Sequence, residues 1–75
     1  MEILFMRQRP SVDNSIHRLR RAGWRAGDVA FYAPGGDWVY FVSAHKNRDW
    51  ISAGGLTQEE AWDEAAQRAE AIDWP

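Results

Sequence analysis

The chain has 75 residues, a formal net charge of −2, no cysteine, and ten aromatic rings among five Trp, two Tyr and three Phe. A chain this short forms one domain, 1–75, and leaves much of its surface wet, so its stability must come from buried rings or a second subunit. Disulfides and thiolate metal sites are excluded. The longest apolar run, Ile3-Leu4-Phe5-Met6, is too short for a membrane span or a signal-peptide core, and with the absence of cysteine it implies a cytoplasmic protein.

Charge is divided along the chain. Residues 1–25 carry six arginines (7, 9, 18, 20, 21 and 25) against Glu2 and Asp13, a net of +4. Residues 26–75 carry Lys46, Arg48 and Arg68 against nine acids, a net of −6. Such a division predicts two faces of opposite sign.

In chain order, EILFMR at 2–7 reads as an N-terminal strand or arm that Pro10 closes off. Ser11 or Asp13 caps a helix running to about Ala22. Val12, Ile16 and Leu19 form its apolar stripe, and Gly23 stands where a left-handed cap belongs. Arg18, Arg20 and Arg21 fall in its last turns, where the helix dipole favours cations.

A β-hairpin follows, DVAFYA and DWVYFVSA, turning at Gly35-Gly36. A two-residue turn there pairs Ala33 with Trp38, Phe31 with Tyr40 and Val29 with Val42. That face is the drier and is expected to be the core. The opposite face then carries Asp28, Ala30, Tyr32, Asp37, Val39, Phe41 and Ser43. A loop, His45 to Asp49, leads to a third strand near Trp50 to Ala53.

The last helix starts from a capping box, Thr57 with Glu60. Trp62, Ala65, Ala66, Ala69 and Ile72 make its apolar stripe, and the alanines imply close approach to the sheet. The predicted fold is α+β. It is a small two-layer sandwich, (β)-α-β-β-β-α, with an antiparallel sheet of three or four strands and two helices on one face.

The acids of this helix have two readings. Glu59, Glu60 and Asp63 suit the positive end of the dipole, and Glu64 reaches Arg68 one turn on. Yet Glu59, Asp63 and Glu70 share one side, with Asp73 near, and such a stripe can bind a basic surface or imitate a phosphate backbone.

The order helix, three strands, helix is similar to that of double-stranded-RNA-binding domains. Those domains hold phosphates with lysines at the start of the second helix. Here that position reads Gln58-Glu59-Glu60, which repels phosphate, so the layout is expected without the activity. The segment GLTQEEAWDEAAQRAEAI resembles the strand-to-helix junction of the HicB family of antitoxins, whose pattern is G-x-T-x-E-E-A before an alanine-rich helix. Gly55, Thr57, Glu59, Glu60 and Ala61 carry the match, which spans about eighteen residues. The chain departs from that family in lacking a Pro-Gly-Cys loop before the third strand and a C-terminal DNA-binding segment. The resemblance implies a cytoplasmic protein that oligomerises and blocks a small partner protein, without autorepression. Small proteins of phages and mobile elements are a looser likeness.

Catalytic chemistry is thin. His17 and His45 have no metal-ligand spacing, and no P-loop, G-x-S-x-G or G-x-G-x-x-G occurs. The acids lie on an exposed helix rather than in a site that would raise a carboxyl pKa. No catalytic residue, cofactor, metal or membrane is therefore expected. The leading expectation is a non-catalytic protein-binding module that contacts a partner protein, or a second copy of itself, through Tyr32, Val39, Phe41, Glu59, Asp63 and Glu70. The alternatives are nucleic-acid binding through Arg18, Arg20, Arg21, Trp24 and Arg25, and an acidic inhibitor that mimics nucleic acid.

Overall fold

The computed structural model describes residues 11–73. Its elements are α1 (Val12–Arg21), β1 (Arg25–Tyr32), β2 (Trp38–Lys46), β3 (Asp49–Gly55) and α2 (Gln58–Asp73). The strands form one antiparallel sheet in the order β1-β2-β3, and both helices lie on one of its faces, the predicted α+β arrangement. The strand expected at 2–7 lies outside the described residues.

Helix α1 begins at the predicted cap: Ser11 Oγ accepts from the Asn14 N–H at 3.0 Å. It ends in a Schellman motif. The Trp24 N–H donates to the Leu19 carbonyl at 2.9 Å and the Gly23 N–H to Arg20 at 3.0 Å, with Gly23 at φ +92°. The motif turns Trp24 inward beside Leu19, and both side chains are buried. Helix α2 also begins as expected, with Thr57 Oγ1 accepting from the Glu60 N–H at 3.1 Å.

The core joins Leu19 and Trp24 to Val42 and Ala44 of β2, Ile51 and Ala53 of β3, and Ala61, Trp62, Ala65, Ala66 and Ala69 of α2. The alanine face lets α2 lie close over β2 and β3. Ser15 of α1 is buried too, a small residue in the helix layer. Ile72, expected on the α2 stripe, is 44% exposed.

The hairpin register differs from the expected one by a single residue. Tyr32 pairs with Trp38, Phe31 with Val39, Val29 with Phe41 and Asp28 with Val42. The turn holds three residues, Pro34-Gly35-Gly36, closed by Ala33 N–H to Asp37 carbonyl at 2.7 Å and Gly36 N–H to Ala33 carbonyl at 2.9 Å. A two-residue turn would have required an N–H from Pro34, which has none. Gly36 at φ +93° takes the left-handed position that completes a three-residue turn.

Shifting one residue turns every β1 side chain to the opposite face. Val29 and Phe31, expected in the core, therefore lie on the face away from the helices, 50% and 52% exposed. Asp28 and Tyr32 move to the helix side. Trp38 and Tyr40 stay on the helix side, but Trp38 remains exposed and Tyr40 is half-buried against the core. All eight residues of β1 are exposed, because α2 covers β2 and β3 instead.

The predicted loop 45–49 is only the turn Asn47-Arg48, with Asn47 at φ +57°. His45 belongs to β2, and β3 runs longer than expected at both ends.

Candidate functional site: the open face of the sheet

The open face is built by strand alternation. It carries Arg25, Gly27, Val29 and Phe31 from β1, Val39, Phe41, Ser43 and His45 from β2, and Trp50, Ser52 and Gly54 from β3. These residues fall into rows across the strands. Arg25-His45-Trp50 comes first, then Gly27-Ser43-Ser52, then Val29-Phe41-Gly54, then Phe31-Val39. The hairpin end follows with Ala33 and Asp37.

Apolar groups dominate the second half. The Phe31 and Phe41 rings meet edge to face with centroids 5.6 Å apart. Phe41 leans over Gly54, where an added Cβ would stand 3.1 Å from the ring. At the other end His45 stacks on Trp50, centroids 4.7 Å apart and planes 25° apart. Trp50 is 68% exposed, and Arg25 stands opposite His45. Among the described residues, no Asp or Glu belongs to these rows; Asp37 stands at the hairpin end. A contiguous apolar patch with charge confined to its ends has the composition of an interface core and rim.

The expected interface residues separate in space. Val39 and Phe41 are together on the open face. Tyr32 is on the other face, edge to face with Trp38 at 5.2 Å, because of the register. Val29, Phe31 and Trp50 are on the open face, where the sequence reading did not put them. The proline in the turn was the signal for Val29 and Phe31.

Glu59 is exposed, but Asp63 and Glu70 face α1. Arg18 Nη1 donates to Asp63 Oδ1 at 3.1 Å, while Nε and Nη2 bind both oxygens of Glu70 at 3.0 and 2.8 Å. The Glu70 hydrogen bonds hold the guanidinium above its ordinary pKa, and Arg18 in turn holds Glu70 below the usual carboxylate range. The acidic stripe is thus partly neutralised from within the chain. Glu64 pairs with Arg68 at 2.9 Å, as its spacing predicts, and Arg68 also donates to the Ser52 carbonyl of edge strand β3.

The same contacts reshape the arginine cluster. Arg18 is engaged, while Arg20, Arg21 and Arg25 are exposed. Trp24 is 3% exposed, so its ring offers no face to a base. Its indole N–H donates to Asp73 at 3.1 Å. Lys46 donates to Asp73 at 2.8 Å and to the Ala22 carbonyl at 2.8 Å, and its Nζ lies 5.7 Å from the Trp24 ring centre. Asp73 is held below its ordinary pKa, by Lys46 first and Trp24 second. This clasp ties the end of α2 to the end of α1; its members are too far apart in sequence to be paired by local spacing.

A cavity of about 180 Å³ lies between α1, β1 and Trp62, lined by Ile16, Leu19, Trp24 and Asp28 among others. It is smaller than the roughly 300 Å³ of ordinary small-molecule sites. Asp28 Oδ2 accepts there from the Trp62 indole at 3.1 Å and from Gln58 at 2.7 Å. Among the described residues, no group of three His, Asp or Glu side chains is placed to hold a metal ion. No protein-family model matches the chain, and no match was found among curated proteins or solved structures.

Proposed function

We propose that the chain is a non-catalytic protein-binding module whose contact surface is the open face of its sheet. The observation that carries this is the apolar patch of exposed Val29, Phe31 and Phe41 beside half-buried Val39, left uncovered by a fold whose helices both lie on the other side. Exposed apolar patches of this kind mark interaction surfaces, and edge-to-face phenylalanines supply rigid anchors for a partner.

A HicB-like role, binding and blocking a small partner protein, is the specific form of this reading. Its support is the Gly55-x-Thr57-x-Glu59-Glu60-Ala61 segment at the β3–α2 junction together with the α-β-β-β-α order. That segment also has a local cause. A Cβ on Gly55 would come within 2.9 Å of the Ala61 nitrogen, and Thr57 caps the helix. The likeness therefore adds less weight than the open face does.

The test is a pull-down from the native host with the full chain and with Phe41→Asp, after circular dichroism has established that the variant is folded. The reading expects a partner retained by the chain, and by a Glu59→Gln control, and lost from Phe41→Asp. Equal capture by all three refutes it. A Phe41→Asp chain that unfolds would make the ring part of the core instead.

A further inference from the structure

The geometry points to a second copy of this chain as the occupant of the open face, packed face to face with the strands running antiparallel. This rests on the reading of that face as a protein interface and names its partner. A two-fold contact requires self-complementarity, and the open face has it: the same patch fits itself after rotation.

Consider a two-fold axis lying between two sheets, perpendicular to the strands and level with the row Val29-Phe41-Gly54. Rotation lays β1 over β1 and reverses the order of the rows. The middle rows then meet each other, placing Val29 and Phe41 of both copies at the centre. Phe31 and Val39 of one copy come over Gly27, Ser43 and Ser52 of the other. That pairs the bulky row with the flat one, as inner faces of packed sheets interdigitate about 10 Å apart. The first row, with Arg25, comes over the partner's hairpin end, with Asp37. Opposite charge and opposite bulk are matched by one operation.

The parallel alternative, with the axis along the strands, fails on the same rows. It reverses the strand order and keeps each row over itself, so that Val39 meets Val39, Arg25 comes over Trp50, and the small residues Gly27, Ser43 and Ser52 face each other across a gap. The product of the antiparallel packing is a six-stranded sandwich with helices on both outer sides. It covers the face that one chain leaves wet.

The test is sedimentation equilibrium of the full 75-residue chain across micromolar to millimolar concentration. A monomer–dimer equilibrium is expected. Phe41→Asp should weaken it by about 30-fold or more, as loss of a central anchor does. Arg25→Asp and Asp37→Arg should each weaken it about 3- to 10-fold, as expected for rim charges repeated by symmetry. The doubly reversed chain should recover self-association, and an equimolar mixture of the two single variants should form the heterodimer in preference to either homodimer.

A wild-type chain monomeric throughout overturns the inference. So does self-association that Phe41→Asp leaves unchanged, or a double reversal no better than its parents. Partner capture that still depends on Phe41 in a strictly monomeric chain would retain the protein-binding reading and reject only the second copy. Saturable binding of a single-stranded oligonucleotide to a monomeric chain, abolished by Trp50→Ala, would replace both.

Discussion

The indole N–H of Trp62 donates to the Asp28 carboxylate at 3.1 Å, joining the middle of the helix layer to the one strand that layer does not cover. Trp62 is 4% exposed, whereas β1 is exposed along its whole length. The bond thus fixes which side of β1 faces the helices, and by strand alternation it sends Val29 and Phe31 to the other side.

Replacing that ring tests the joint. Trp62→Ala should cost about 3–5 kcal/mol, a large part of the stability of a small domain. Asp28→Ala, which leaves the ring but strands its N–H, should cost about 1–3 kcal/mol. Urea denaturation measures both; equal and negligible losses would mean that the tryptophan is not a core anchor.

The turn makes a second, sharper comparison. Gly36 is at φ +93°, whereas Gly35 is not in the left-handed region and has open space around its Cβ position. Gly36→Ala should cost about 1 kcal/mol or more, and Gly35→Ala should stay within about 0.5 kcal/mol of neutral. Thermal melts of the two variants distinguish a three-residue turn from the symmetric Gly-Gly turn, which would penalise both.

Acid should loosen the helix layer. Glu70 lies below its ordinary 4.5 because Arg18 hydrogen-bonds it, and Asp73 below its ordinary 3.8 because of Lys46 and then Trp24. Each carboxylate ionises more readily folded than unfolded. The stability it adds is therefore complete above its unfolded pKa and is lost as pH falls through the lower folded value. Unfolding midpoints should drop as pH falls below about 4.5, and the drop should be shallower in Arg18→Met and Lys46→Met than in the parent chain. Identical acid slopes in all three would show that these pairs do not couple to folding.

Much of this fold was legible in the residues because its signals are local. Ser11, Gly23, Thr57 and the Glu64–Arg68 spacing each act within one turn of a helix, and each appears where the pattern places it. The sheet's register was not legible from Gly-Gly alone. It depended on the missing N–H of Pro34, and the one-residue difference moved Tyr32 off the candidate surface and brought Val29 and Phe31 onto it. Charge was legible as a division along the chain but not as pairing. Arg18 meets Asp63 and Glu70 across 45 and 52 residues, and Trp24 meets Asp73 across 49. Long-range contacts of this kind leave no spacing to read. They consumed residues that looked available for a partner protein or for nucleic acid.

The central claim is that the open face is a contact surface, wet in the single chain and covered on association. A lone cysteine reports this directly, since the chain has none of its own. Ser43→Cys places a thiol in the middle of the face, and Gln67→Cys places a control on exposed α2. At high dilution both thiols should react rapidly with a soluble thiol reagent. As concentration rises, or as a captured partner is added, Ser43→Cys alone should become protected. A Ser43 thiol that reacts at the rate of the control under every condition would contradict the account, and so would one that is inert even at high dilution.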